Sequence, residues 1–286
     1  MVNKLRTLTI IGGSGFLGKS LIDYAKENGL FKWRINKIIS ISRRKAHEKS
    51  KKGFQVKYIT SDIRKLNKLL KTDFIIYAIN TNKKDNDLKA IKNFVLLLKQ
   101  LPKKTKVLFT SSGAIYGKIK SKKNYAETKI IIEKIFKKLG KEGHKVSIAR
   151  LFTFIGKRIL NDKQYAVSEF IRSGLNKKKI LVKSKFKVYR SYMHSDDMVR
   201  WLLTILVNSS EKCPIYNVGS NESITIQNLA KIIGIFFNTP VKIKKFNNKK
   251  VERYVPSIKK AQKELNLKIN YKLKPSLYSI IKQRYE

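Results

Sequence analysis

The 286 residues suffice for one large domain, or for a nucleotide-binding domain carrying a smaller lobe. The 65 Lys and Arg against 19 Asp and Glu leave a net charge of +46, but the lysines run the whole length without a basic tail, finger spacing or aromatic–basic alternation, so they read as solvated faces rather than a specific nucleic-acid surface. A single cysteine, Cys213, excludes an intrachain disulfide and a thiolate metal cluster, the three histidines are scattered, and no run reaches the roughly 20 apolar residues that cross a bilayer.

Residues 7–11 form a short apolar run that reads as a buried strand, not a leader, because glycines and a serine break the apolar character immediately after it. A cytoplasmic protein with no membrane partner is expected. Residues 19–28 predict a helix with Leu21, Ile22 and Ala25 inward and Gly29 as its stop. Strands follow at 35–41, 54–59 and 74–79, a helix at 85–99, a strand at 107–110, a helix at 125–139 closed by Gly140, and a strand at 146–151. Several strands are apolar without alternation, the mark of a parallel sheet covered on both faces. The fold class is therefore α/β, a Rossmann-type doubly wound parallel sheet. Beyond Phe152 the rhythm changes to a helix at 166–175, strands at 180–182 and 186–189, a helix at 197–207, a strand at 216–218, a helix at 226–236, a strand at 241–243 and a helix at 257–265 capped by Ser257. Residues 1–152 are read as a dinucleotide-binding domain. Residues 153–286 are read mainly as a substrate lobe, with segments near 190–220 returning to the first domain.

A strand, then Gly12-x-x-Gly15-x-x-Gly18, then a helix is a dinucleotide-binding arrangement. Gly12 permits the tight turn, Gly15 lets backbone approach a pyrophosphate, and Gly18 lets helix pack on strand, with the helix N-terminus facing the negative charge. In the NAD case a carboxylate follows the second strand to hold the ribose hydroxyls. Here that place reads Ser42-Arg43-Arg44-Lys45, which suits a 2′-phosphate and favours NADP over NAD. Asp62 either contacts the adenine amine or caps a helix starting at Ile63. The expected cofactor contacts are Gly12, Gly15, Phe16, Leu17, Gly18, Ser42, Arg43, Arg44, Asp62, Ile63, Ala78 and Lys129.

Tyr125 and Lys129 stand four apart on one helical face, and Ser111 and Ser112 end the fifth strand, where open parallel sheets bind ligands. A cation near a phenol stabilises phenolate and suits the tyrosine to acid–base work. With the glycine loop, with Thr110-Ser111-Ser112-Gly113-Ala114-Ile115-Tyr116-Gly117, and with Arg150-Leu151-Phe152, Arg190 to Asp197 and Tyr216-Asn217-Val218-Gly219 following in order, the chain resembles the extended short-chain dehydrogenase/reductase family of sugar-nucleotide epimerases and dehydratases. The resemblance spans nearly the whole chain. It implies that Ser112 hydrogen-bonds the reacting oxygen, that Tyr125 is the acid–base, and that Lys129 holds the nicotinamide ribose while lowering the tyrosine's pKa. It implies substrate contacts at Ser112, Tyr125, Thr153, Arg190 and Arg253, with Arg190 gripping a diphosphate, and a homodimer paired through the helices at 85–99 and 125–139.

The sequence departs from the family's pattern in three places. The loop from Tyr116 to Tyr125 is short, Thr153 replaces an Asn, and the acid after the second strand is missing. The resemblance also narrows the reaction. Dehydratases of the family carry an Asp-Glu pair after the catalytic Ser or Thr, and the 3,5-epimerase/reductases a Cys at the Ala114 position; this chain has Gly113 and Ala114. Epimerisation through a transient ketone, or reduction of a keto-sugar nucleotide, at one carbon and with NADP or NAD, is the expected activity. The alternatives are a sugar-nucleotide dehydratase, a non-catalytic dinucleotide sensor or scaffold, which leaves Ser112, Tyr125 and Lys129 without purpose, and a nucleic-acid-binding protein.

Overall fold

The computed structural model describes residues 6–44, 54–80, 83–117, 123–158, 165–244 and 251–283. In chain order the elements are β1 (Arg6–Ile11), α1 (Phe16–Asn28), β2 (Ile35–Ser42), β3 (Gln55–Thr60), β4 (Phe74–Tyr77), α2 (Lys84–Lys99), β5 (Lys106–Ser112), α3 (Lys123–Lys141), β6 (Lys145–Leu151) and β7 (Phe154–Ile155). Then come α4 (Ala166–Leu175), β8 (Ile180–Val182), β9 (Lys187–Ser191), β10 (Met193–His194), α5 (Ser195–Val207), β11 (Ile215–Val218), β12 (Ser223–Thr225), α6 (Ile226–Phe237), β13 (Val241–Ile243), β14 (Val251–Tyr254), α7 (Lys259–Leu265) and α8 (Leu273–Lys282).

Seven strands form the main sheet in the order β11-β6-β5-β4-β1-β2-β3, with parallel pairing from β3 through to β6. The chain winds outward from β1 in one direction and from β4 in the other, so the sheet is the doubly wound one that the element pattern predicts. The crevice for a ligand therefore opens where β1 meets β4, at their carboxyl ends. Ile10, Ile75, Ile76 and Leu108 are fully buried, as strands covered on both faces require.

Two compact units divide the chain: Met1–Leu151 with Val199–Tyr216, and Phe152–Met198 with Asn217–Glu286. Within the first, Tyr77, Phe94, Phe109 and Phe136 form an aromatic cluster under the carboxyl ends of β4 and β5, with Phe109 and Phe136 stacked at 4.9 Å. The second holds a three-stranded sheet, β12-β9-β14, and a β13–β8 pair.

Several details correct the sequence reading. α3 runs through Gly140 to Lys141, because that glycine's missing side chain makes room for the Glu211 carbonyl, 2.4 Å from where a Cβ would stand. The stop comes at Gly143, whose φ of 83° is the left-handed conformation glycine tolerates. α7 starts at Lys259 without a side-chain cap, and the Ser257 carbonyl instead receives the Asn217 amide. β14 and α8 were passed over by the sequence reading, although Leu273, Leu277, Ile280 and Ile281 of α8 form an apolar stripe at helical spacing. On the two helices expected to pair in a dimer, Ile91 and Leu98 of α2 are buried in the core, Leu88 and Val95 of α2 and Ile135 of α3 are half-buried against it, and Leu96 of α2 and Ile130 of α3 are exposed. Lys45 and residues 118–122 of the short loop lie outside the described residues.

Candidate active site

The turn after β1 is built on glycines that the protein itself requires, and on one that it does not. Gly12 has φ 100°, and a Cβ there would meet the Ala78 carbonyl oxygen at 2.7 Å. Its N–H donates to Ile41 O at 2.9 Å, tying the turn to β2. Gly13, not singled out by the motif, lies so close to β2 that a Cβ would stand 2.0 Å from Ser40 Oγ. Gly18 serves differently from expectation: a Cβ there would strike Gly13, at 2.5 Å from its Cα, so Gly18 seats the first turn of α1 on the loop rather than on the strand. Gly15 is exposed, has an ordinary φ of −76°, and a Cβ on it would approach only Gly12 O, at 3.4 Å. It begins α1, which has no side-chain cap, with half-buried Phe16 and Leu17 following in the first turn.

A cavity opens over this turn. Gly12, Gly15, Ser42, Arg43, Arg44, Asp62, Ile63 and Ala78 all line it, so the structure brings together most of the residues named for cofactor contact. Phe16, Leu17, Gly18 and Lys129 are not among its lining. Ser61, Arg64, Ile79 and Asn80, which sequence reasoning passed over, are. Asp62 caps the 3-10 turn starting at Ile63, accepting Arg64 N at 3.0 Å, and its carboxylate is gripped by the Arg64 guanidinium. That hydrogen-bonded guanidinium, with Arg43 nearby, holds the Asp62 carboxyl down at about 2 despite some burial. The carboxylate is therefore already paired, and Arg43, Arg44 and Arg64 make this rim basic.

Ser112 ends β5. Its Oγ accepts Ala114 N at 3.2 Å, and the Ser112 hydroxyl is near enough to Tyr125 to pull that phenol's pKa down. Lys129 is buried, and its Nζ donates to Thr110 O at 3.3 Å and Ile79 O at 3.2 Å, 5.1 Å above the Phe109 ring and 5.6 Å from the Tyr125 ring. Burial pulls Lys129 down to about 8, against the opposing pull of Asp87 and Glu133. Tyr125 lies above its ordinary value: burial raises it, the Ser112 hydroxyl lowers it, and the Asp87 charge raises it further. At Tyr125 burial outweighs the pull of Ser112, and the Lys129 ammonium is engaged by two carbonyls. The resting phenol is protonated.

Beneath this trio lies a polar network that the sequence reading did not pick out. Glu133 accepts Ser111 Oγ at 2.6 Å, Arg150 Nε at 3.0 Å and Arg150 Nη2 at 2.8 Å, and Arg150 Nη1 donates to the Tyr116 hydroxyl at 2.9 Å. The signal was present: Glu133 follows Lys129 by four residues on the same helical face.

The remaining named residues lie in the second unit. Thr153 is buried, and its carbonyl receives Met193 N at 3.0 Å. On neighbouring strands β9 and β14, Arg190 pairs with Glu252, and the exposed Arg253 lies over the Tyr189 ring at 5.2 Å. Among the described residues no group of three or more His, Cys, Asp or Glu is placed to hold a metal, and no helix is long and apolar enough to cross a membrane.

Among known proteins, the chain is similar to UDP-glucuronic acid decarboxylase 3 of Arabidopsis thaliana, with 26% identity across 94% of this chain and 86% of that protein. Its fold matches the UDP-glucose 4-epimerase of Thermotoga maritima, solved with UDP-glucose, at a TM-score of 0.74 and 16% identity, covering 98% of this chain and all of that one. It also matches the Bordetella bronchiseptica enzyme WbmF, solved with NAD+, at a TM-score of 0.76 and 16% identity over 98% and 92% of the two chains. A family model matches residues 8–219, well over half the chain, from the first buried residue of β1 through the glycine that follows β11. With the glycine turn, the serine, the tyrosine and the lysine all inside that span, the chain belongs to the NAD dependent epimerase/dehydratase family.

Proposed function

We propose that the protein binds a nicotinamide dinucleotide in the glycine-lined cavity and moves hydride at one carbon of a nucleotide sugar, either as a 4-epimerase or as a keto-sugar-nucleotide reductase. The observation that carries this reading is Tyr125 and the buried Lys129, its Nζ 5.6 Å from the phenol ring, set beside Ser112 at the end of β5. The cavity suits a dinucleotide: Gly12 and Gly13 stand where any Cβ would collide, and Gly15 is open to an approaching phosphate. The dinucleotide, when bound, supplies the hydride acceptor or donor. Ser112 hydrogen-bonds the sugar oxygen. Tyr125 gives that oxygen a proton in the reductive direction and withdraws it in the oxidative one, and Lys129 holds the nicotinamide ribose. A phenol that rests protonated suits the reductive direction. Arg43, Arg44 and Arg64 support NADP, since Asp62 is engaged by Arg64. In the second unit, Arg190 and Arg253 suit a diphosphate, for which Arg190 must exchange its Glu252 partner. We read the assembly as a homodimer through α2 and α3.

A second reading is favoured by the likeness to UDP-glucuronic acid decarboxylases. Oxidising a uronic acid at C4, next to the carbon that bears the carboxylate, would give a β-keto acid. Loss of carbon dioxide leaves an enolate that takes a proton at C5, and return of the hydride to the ketone, with a proton from Tyr125, completes the pentose. Gly113 and Ala114 speak against dehydration but not against this route. The test is incubation with UDP-glucose, UDP-N-acetylglucosamine, UDP-glucuronic acid and a 4-keto-sugar nucleotide, with NAD or NADP, and products read by NMR and mass. An inverted hydroxyl or a reduced ketone supports the first reading; a pentose nucleotide with carbon dioxide supports the second. No product from any of them defeats both.

A further inference from the structure

No step of the proposed chemistry uses Glu133, although its side chain is only 5% exposed. One carboxylate there reaches both flanks of Ser112. It takes the hydroxyl of Ser111 directly, and through Arg150 it reaches Tyr116, which ends the 3-10 turn that Ser112 opens. The same residue sits one and two helical turns along α3 from Lys129 and Tyr125, on their face of the helix. A buried ion pair is a poor source of stability, since apolar replacements of similar volume commonly do as well. What it can supply is a fixed relation between the elements it joins.

We propose that Glu133 is a positioning residue, whose carboxylate fastens the Ser112-bearing strand end and turn to the helix carrying Tyr125 and Lys129, so that the three act from one frame. This rests on reading those three as the reacting groups. Charge supports the geometry. The titratable groups around Lys129 are Asp87 from α2 and Tyr125 and Glu133 from α3, and both acids oppose the burial that strips its proton. Around Glu133 are Arg150 from β6, Tyr116, Lys129, Lys137 and the Cys213 thiol.

Two substitutions separate reach from charge. Glu133→Gln keeps the length and an acceptor but no charge; Glu133→Asp keeps the charge but is too short to span Ser111 and Arg150. NADH or NADPH affinity, read by its fluorescence against pH, reports Lys129 without turnover, and conversion of UDP-glucose to its 4-epimer, or of a 4-keto-sugar nucleotide to its alcohol, read by NMR, gives kcat and KM. For Glu133→Gln we expect the alkaline limb near pH 8 to move down by about one unit. For Glu133→Asp the limb stays, kcat falls about tenfold or more, and KM changes by less than about twofold. If either variant does not fold, Ser111→Ala removes one donor and should lower kcat at an unchanged Tm. Wild-type limb and kcat in variants with wild-type Tm would overturn the proposal, as would losses that merely track the unfolded fraction. Failure of the wild-type protein to bind either NADH or NADPH, or full activity in Tyr125→Phe, instead removes the underlying functional reading, and is recognised without any Glu133 variant.

Discussion

Gly15→Ala separates what the fold needs from what a ligand needs. In the protein alone a methyl group at Gly15 is tolerated: φ is −76°, and the nearest atom to the added Cβ is 3.4 Å away. Alanine is a poorer N-cap than glycine by several tenths of a kcal/mol, and the stiffer unfolded chain returns about 0.4–1 kcal/mol, so the net change in stability is within about 0.5 kcal/mol. If a pyrophosphate lies against the Gly15 backbone, the methyl displaces it and removes at least one charge-assisted hydrogen bond of about 1.5–3 kcal/mol, or about a ten- to hundredfold loss of affinity. Gly12→Ala provides the contrast. Its φ of 100° and a backbone oxygen at 2.7 Å predict a loss of about 2 kcal/mol or more in stability. The clash at Ala78, just past the end of β4, would also disturb its neighbour Ile79, whose carbonyl holds Lys129. Urea unfolding and NADH fluorescence titration of both variants measure the two effects. Wild-type NADH affinity in Gly15→Ala would refute the placement of the pyrophosphate. A stability loss in Gly15→Ala equal to that of Gly12→Ala would show that the fold, not the ligand, demands the glycine.

Tyr125→Phe should keep dinucleotide affinity and lower turnover by about two to four orders of magnitude, measured by steady-state kinetics beside NADH titration; undiminished turnover removes the tyrosine from the chemistry. Replacing Arg43 and Arg44 together by Ala should weaken NADP far more than NAD, and equal weakening returns them to the basic surface. Burial holds the His144 pKa below its ordinary value, with Lys103 and Lys99 acting in the same direction against Glu142, and neither ring nitrogen has a partner. The unfolded chain therefore takes up this proton first, so the histidine's stabilising contribution is complete above its ordinary value near 6.5 and is lost as pH falls towards the folded one. His144→Phe should flatten the fall of Tm between neutral and mildly acidic pH, and an unchanged slope contradicts the assignment. Sedimentation should show a species near twice 33.2 kDa, converted to monomer by Leu96→Glu with Ile130→Glu at unchanged NADH affinity; a wild-type monomer ends the dimer reading.

The sheet was legible because most of its strands are apolar runs followed by a turn or a helix, while the edge strand β3 alternates, and the glycine turn because its spacing falls at a strand–helix junction. The residues lining the cavity were legible for the same reason: Ser42, Asp62 and Ala78 lie at or just past the carboxyl ends of β2, β3 and β4. What escaped was mostly tertiary. Gly13 matters because of Ser40 and Glu133 because of Arg150, while Arg64 turns back locally on Asp62, and none of these partners is marked by periodicity. The protonation of Tyr125 escaped for a related reason, since spacing shows that a cation is near but not how deeply the phenol is buried. Gly140 shows the same limit: in sequence it looks like a helix stop, and only the approach of Glu211 explains it.

The order in which a ribosome would deliver these elements gives the interrupted first unit a cost during synthesis. β6 emerges with its outer edge bare, because its neighbour on that side, β11, is separated from it by the whole stretch Phe152–Met198 and by most of α5. The fully buried Trp201 and its α5 neighbours Leu202, Leu203, Ile205 and Leu206 also arrive late. At usual rates of translation the nascent sheet waits on the order of several seconds with an unpaired strand and part of its core missing. An open edge of that kind recruits other strands. Chains halted between β6 and β11 should therefore aggregate or occupy chaperones, whereas chains halted after Tyr216 have the components to close the first unit.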